Sequence, residues 1–300
     1  KIVYNNLLIL YNLYESEREL HLVSLKFYKE EFFEMNQFKK FYKSSLVLSF
    51  LFLLLVGGSF VATARAESTP VKLCSAKIVP LYTRGVLQGY KTIGMVEVKE
   101  SGFDEQVEVH YSYGYDNWKQ IKAEFVGVND QDHQIWKFET PENKPSFHYY
   151  KFTTEFAVNY KKDGQDYWDN NEGENYFLRM TNVPNFSNQP YLLGSQQVVL
   201  EDAHYHQYNG SATLMGQVIV KNLAYNKDIQ LVYTTDDWQT TNTVAARYYT
   251  QYENNLEEWG FALRDLSPDA KIKYRIKYNV KGNTYWDDNF GRDYVKNSDK

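Results

Sequence analysis

One cysteine, Cys74, stands among 300 residues. No disulfide can form within the chain, and with no His or Cys at ligand spacing beside it, a zinc site is excluded there too. Cys74 reads as a structural thiol. Positive charge is not in excess: 33 Lys and Arg stand against 38 Asp and Glu, a formal net charge of −5. A nucleic-acid binder would show a basic face, so no nucleic-acid partner is expected. The signatures G-x-S-x-G, the phosphate-binding loop and H-E-x-x-H are missing. His204 and His206 alternate in an expected strand, with no acidic residue at ligand spacing to complete a metal site. Nothing calls for a cofactor. No long stretch carries helical period. The apolar run Ser45–Val61 is shorter than the ~20 residues of a spanning helix and is broken by Gly57 and Gly58. No stable membrane insertion is expected from it.

That run has another use. Met35 is followed by Lys39, Lys40 and Lys43, then by the apolar stretch, then by Ala64-Arg65-Ala66. This is the order of a secretory signal peptide, with cleavage after Ala66. Residues 35–66 are therefore read as a bacterial signal peptide and the protein as secreted. Residues 1–34 then stand where nothing should precede a signal. Lys29-Glu30-Glu31 corresponds to a purine-only run that can hold a ribosome-binding sequence before the Met35 codon, so 1–34 is read as spurious upstream translation.

What the chain has in quantity is aromatic side chains, 17 % of residues with 27 Tyr. Many sit in polar surroundings. Tyr and Trp join a flat apolar body to a hydrogen-bonding edge, which suits wet recognition surfaces as well as cores.

The chain also repeats itself. Gly94–Lys99 matches Gly216–Lys221, Tyr115–Trp118 matches Thr235–Trp238, Trp136–Phe138 matches Trp259–Phe261, and Phe156–Tyr160 matches Tyr274–Tyr278. Each copy closes on nearly the same ten residues, YWDNNEGENY from Tyr167 and YWDDNFGRDY from Tyr285. Order and spacing are kept, so a domain has been duplicated. The first copy is assigned to 67–180 and the second to 192–300. Residues 181–191, with Pro184 and Pro190, form a short stiff linker. Within each copy apolar residues alternate, as in Val107/Val109/Tyr111 and Ile229/Leu231/Tyr233. Short half-buried strands separated by turns predict an all-β fold: two antiparallel, immunoglobulin-like β-sandwich modules in tandem, behind the signal peptide.

Trp136 and Trp259 alternate strictly with Phe138 and Phe261 and are expected in the core. Trp118 and Trp238 follow Asp-Asn and Asp-Asp in turn-like segments, where packing explains a large ring poorly. Trp168 and Trp286 precede clusters of Asx residues. A turn needs the Asx residues but not the ring. A ring beside short amides and carboxylates is what a sugar requires, the ring covering the C–H face and the polar groups meeting hydroxyls. All four indoles are expected to be open to water.

These motifs resemble the starch- and glycogen-binding modules of carbohydrate-binding module family twenty-one, which includes the starch-binding domain of fungal glucoamylase and the glycogen-targeting subunits of protein phosphatase 1. The fuller match is Val218–Gln239 with Ile276–Tyr294; the other is Val96–Lys119 with Phe156–Tyr176. The resemblance implies a first sugar site from Trp238 and Trp286 in copy two and from Trp118 and Trp168 in copy one. Ala157 and Arg275 stand where the family often has another aromatic, so each first site lacks one wall. It implies a second site from Tyr225 and Tyr248, with Phe103 and Phe125 as their counterparts in copy one. Asn170, Asn171 and Asn175, with Asp288, Asn289 and Asp293, would bond the sugar or shape the loop. The implied partner is an α-glucan: starch, glycogen or maltooligosaccharides.

The expectation is a secreted, non-catalytic glucan-binding protein. The acidic pairs Asp169/Glu172 and Asp236/Asp237 stand one to three residues apart in Asx-rich turns and read as solvated turn residues rather than as a glycosidase pair. Two modules leave no room for a barrel of ~250 residues. The rivals are a fragment or accessory part of a secreted amylase-type enzyme, a cell-surface structural sandwich, and an intracellular phosphatase-targeting subunit. The signal peptide and the lack of a basic-V/I-x-F/W segment speak against the last.

Overall fold

The computed structural model describes residues 69–99, 105–114, 117–145, 151–181 and 188–296. The expected upstream and signal segments, Phe103, and residues 182–187 of the expected linker lie outside the described residues.

The alternation becomes an all-β structure. The first half runs β1 (Val71–Thr83), β2 (Val86–Val98), β3 (Gln106–Ser112), β4 (Lys119–Lys122), β5 (Glu124–Val128), β6 (Gln134–Glu139), β7 (Lys151–Lys162), β8 (Gln165–Asp169) and β9 (Tyr176–Thr181). A short β10 (Tyr191–Leu193) follows. The second half repeats the series as β11 (Val198–Tyr208), β12 (Ser211–Lys221), β13 (Lys227–Thr234), β14 (Asn242–Ala245), β15 (Arg247–Gln251), β16 (Leu256–Leu266), β17 (Ile272–Val280), β18 (Asn283–Asp287) and β19 (Tyr294–Lys296). One sheet of the first half has the order β10-β1-β2-β6-β5, the other β4-β3-β7-β8 with β9 also on β7. The second half gives β11-β12-β16-β15 and β14-β13-β17-β18 with β19 on β17. The pairings are antiparallel throughout the described strands.

Successive side chains of a strand point to opposite faces, so one face of each sheet supplies a core. Leu73, Val96, Val98 and Phe138 meet Val109, Phe156, Val158 and Tyr160 in the first half. Val198, Val218, Val220 and Phe261 meet Ile229, Leu231, Ile276 and Tyr278 in the second. The repeated glycine of the β2 and β12 motifs has a packing reason. A Cβ on Gly216 would lie 2.5 Å from Phe261 Cζ and 2.6 Å from the Asp202 carbonyl oxygen, and Phe138 covers Gly94 in the same way.

Two features place the candidate rings. First, Asp163-Gly164 and Lys281-Gly282, all with positive φ, join β7 to β8 and β17 to β18. Such two-residue turns match the twist of the strands and fix their register. Trp168 therefore falls opposite Asn159, and Trp286 opposite Lys277. Second, β1 and β11 each carry a register irregularity, at Leu73/Ser75 and Leu200/Asp202. Beside these, the Leu73 N–H donates to Asp169 Oδ2 (2.6 Å) and the Leu200 N–H to Asp287 Oδ2 (2.5 Å). Cys74, the intervening residue in β1, is buried, and burial pushes its thiol up to about 12, as befits a structural group.

The expected linker ends in β-structure. Arg179 and Gln189 pair, and the Ile78 N–H donates to Pro190 O (2.9 Å). In β10, Leu192 and Leu193, placed in the second copy from sequence, pair with Ala76 and Ser75 of the first half.

Candidate functional site

In the second half, Arg275 and Lys277 stand two residues apart on β17 and share its outer face. The Arg275 guanidinium lies 4.8 Å from the Trp238 ring centroid, and Lys277 Nζ 5.6 Å from that of Trp286. The position expected to lack a wall thus holds a cation against an indole. Asp293 locks the arrangement. One carboxylate oxygen pairs with Arg275 Nε, and the other accepts the Trp238 indole N–H (2.8 Å). The preceding turn is built by Asp236, which accepts from Thr234 Oγ1 (2.6 Å), the Thr240 N–H (2.9 Å) and Thr240 Oγ1 (2.7 Å). These donors hold its carboxyl down at about 2. The turn gives Trp238 itself a φ of +68°, a left-handed conformation uncommon for a bulky residue.

Trp118, Trp168 and Trp286 are 42 %, 40 % and 46 % exposed. Trp238 departs from the expectation that all four indoles are open. It is half-buried, because Arg275 covers it and Asp293 draws its N–H inward. In the first half Ala157 replaces Arg275, and the ring packed on Trp168 is that of His110, edge-on at 4.9 Å.

The Asx cluster that follows each exposed Trp closes its own loop. Asn170 Oδ1 accepts the Gly173 N–H (3.1 Å), Asn171 Nδ2 donates to Asn175 O (3.0 Å), and Asn175 Nδ2 donates to Glu155 Oε1 (2.7 Å). Asp288 Oδ1 accepts the Gly291 N–H (2.8 Å), and Asn289 Nδ2 donates to Asp293 O (3.1 Å). The same three positions, Asn171, Glu172 and Asn175 against Asn289, Phe290 and Asp293, have positive φ in both loops. Of the two roles expected for these side chains, shaping the loop is the one these bonds serve. The Asp next to each Trp corrects the sequence reading, which took Asp169 for a solvated turn residue: it is withdrawn from solvent and bonded. Asp169 accepts from Tyr176 Oη (2.8 Å) and Asp287 from Tyr294 Oη (2.9 Å), which ties the last Tyr of each decapeptide to the second residue after the first. Burial raises Asp287 to about 6, against the opposing hydrogen bonds from Leu200, Tyr294 and Asn289. Asp169 is thus held between Leu73 and Tyr176, and Asp237 pairs with Lys273.

Two residues expected for the second sites lie on the edge strands β5 and β15. Phe125 and Tyr248 are exposed, and each meets a Trp of the neighbouring strand edge-on: Trp136 at 5.6 Å and Trp259 at 5.8 Å. Tyr225, on the β12–β13 connection, is 97 % exposed. Trp136 and Trp259 pack on the cores as expected, yet remain half-buried and form the inner ring of each platform. Hairpin register, which sets Phe125 opposite Trp136 and Tyr248 opposite Trp259, was the cue for this. Asp202 lies 2.7 Å from His204 Nε2, a carboxylate the sequence reading did not pair with it. Among the described residues no three His, Cys, Asp or Glu side chains gather as a metal-ligand set.

Exposed aromatic rings on the loops and edge strands of an antiparallel β structure fit a carbohydrate-binding module. The family model described as "Carbohydrate/starch-binding module (family 21)" matches residues 67–179 and again 192–296. The chain belongs to that family. Glucoamylase 1 of Rhizopus oryzae is 35 % identical over 99 residues, which cover 32 % of this chain and 16 % of the enzyme. Protein phosphatase 1 regulatory subunit 3C of Bos taurus is 32 % identical over 87 residues, 27 % of each chain. This chain thus spans well under a third of the length of these relatives. The starch-binding domain of the Rhizopus oryzae glucoamylase, solved in complex with β-cyclodextrin and maltoheptaose, is 32 % identical with a TM-score of 0.28; the match covers 33 % of this chain and 92 % of that one.

Proposed function

We propose that this protein is a secreted, non-catalytic α-glucan-binding protein made of two immunoglobulin-like sandwich modules in tandem, at 67–180 and 192–300, joined through 181–191. The observation that carries the reading is the recurrence of exposed rings at matched places, Trp168 with Trp286 and Phe125 with Tyr248, in both copies of a starch-binding family module. Trp118 with Trp168, and Trp238 with Trp286, form the first site of each module. Tyr225 with Tyr248, and Phe103 with Phe125, form the second. Asn170, Asn171, Asn175, Asp288, Asn289 and Asp293 hold the loops in shape and offer their remaining polar atoms to sugar hydroxyls.

A stacked ring contributes on the order of 1 kcal/mol, so one site should bind in the micromolar to millimolar range. Trp286→Ala should lower β-cyclodextrin affinity at the second module's first site by about 5-fold, measured by calorimetry, with thermal unfolding unchanged. A wild-type protein that binds neither β-cyclodextrin nor amylose, or that releases reducing sugar from starch, would refute the reading. For the signal peptide, N-terminal sequencing of the exported protein should begin at Glu67. A mature chain that keeps residues before Met35 would overturn that assignment.

A further inference from the structure

The two decapeptide loops differ at two telling places. Glu172 and Glu174 of the first are exposed, while the second has Phe290 and Arg292 there. Both replacements face the first half. Arg292 Nη1 donates to Val126 O on β5 (3.1 Å), and a Cβ on Gly127 would lie 3.6 Å from the same nitrogen. At Gly291 a Cβ would lie 3.5 Å from Asp130 N, so the loop tip rests on the β5–β6 turn. Phe290 lines a cavity of about 210 Å³ between the halves, with Ile93, Met95, Leu193 and Ile219. Elsewhere along the same junction, Lys77 Nζ pairs with Glu201 (2.8 Å), Lys221 Nζ donates to Gly194 O (2.6 Å) and Asn254 Nδ2 to Tyr191 O (2.6 Å). The halves are therefore clamped in one orientation rather than hung on a flexible tether.

The clamp joins two platforms. The docked loop is the one that follows Trp286. The strand it docks on, β5, carries Phe125 one residue before the bonded Val126, with Val126 and Val128 also exposed. We infer that Trp286 of the second half and the Phe125–Trp136 platform of the first are the two ends of one composite site, spanned by a single α-glucan strand. Arg292 sets their spacing without touching the sugar. This rests on the glucan-binding reading above and adds to it a preference for chains long enough to bridge the junction.

The test compares maltotriose, which fits one platform, with a long linear maltodextrin, by calorimetry on the full chain. The wild type should bind the long chain at least ~10-fold more tightly than maltotriose, since a second contact at fixed distance raises effective concentration. Arg292→Glu sets a carboxylate against the Val126 carbonyl and near Asp130. It should lose most of that gain while keeping maltotriose affinity, and Phe125→Ala should lose the gain as well. Full retention of the gain by either variant overturns the proposal. Equal wild-type affinity for both ligands also overturns it but leaves the glucan reading standing. A wild type that binds neither ligand defeats the glucan reading itself, and the composite site with it.

Discussion

Asp287→Ala should lower folding stability by about 3 kcal/mol, since removing the carboxylate leaves the Leu200 N–H and the Tyr294 hydroxyl buried without an acceptor, at roughly 1–3 kcal/mol each. Two opposing terms decide the size. Asp287 is itself costly, because burial raises it from 3.8 to about 6. Two units correspond to ~3 kcal/mol between ionised and protonated forms in the fold. Alanine relieves that cost at neutral pH but forfeits every bond the side chain makes, including the N–H of Asn289. It also unties β18 from β11 at the point where the Trp286 loop begins. The bonds should win, and glucan binding at that loop should weaken along with stability.

The pH dependence separates the terms. The folded-state value of Asp287 lies above its ordinary one, so the fold favours the protonated form. The stability tied to this group is full below about pH 4, falls as pH rises through about 6, and is flat above. Other carboxylates, such as Asp236 and Asp237, are shifted downward and contribute the opposite slope at lower pH. Asp287→Asn isolates the one group. Denaturant unfolding at pH 4, 5, 6 and 7 should show the wild type losing ~2.4 kcal/mol relative to the Asn variant across that range. A difference that is constant with pH would mean that the Leu200, Asn289 and Tyr294 donors fully offset burial.

The alternation of apolar residues and the double decapeptide made the strands, the duplication and the candidate rings legible, because period two and turn chemistry are local properties. What was hidden depends on pairing between distant strands. That Arg275 would cover Trp238 required knowing that β17 lies beside β13 and that Asp293 returns just before β19. That Trp136 and Trp259 would underlie Phe125 and Tyr248 required the hairpin register. The Asp after each Trp looked like one more turn former, since its partner is an N–H some 90 residues away, freed by an irregularity no side chain announces. The strand at Tyr191–Leu193 was invisible for a simpler reason: three residues carry no period.

The largest effect on binding should come from silencing the second half altogether. Trp238→Ala, Trp286→Ala, Tyr225→Ala and Tyr248→Ala together remove all its candidate rings but the inner Trp259, and the change on granular starch should be about 10²-fold or more. The reasoning is arithmetic rather than additive. A single ring changes a monovalent affinity about 5-fold, but a polymer held by two halves dissociates only when both let go, so losing one half removes the avidity as well as its own contacts. The clamps at Lys77–Glu201 and Arg292–Val126 bear on the size of that gain, because fixed spacing raises effective concentration when the spacing suits the ligand and abolishes it when it does not. Short maltooligosaccharides provide the control. Their affinity for the remaining first-half sites, Trp118 with Trp168 and Phe125, should stay at the wild-type value while granule depletion collapses. A granule affinity reduced only in proportion to the number of sites removed would mean that the halves bind starch independently, and the duplication would then serve capacity rather than strength.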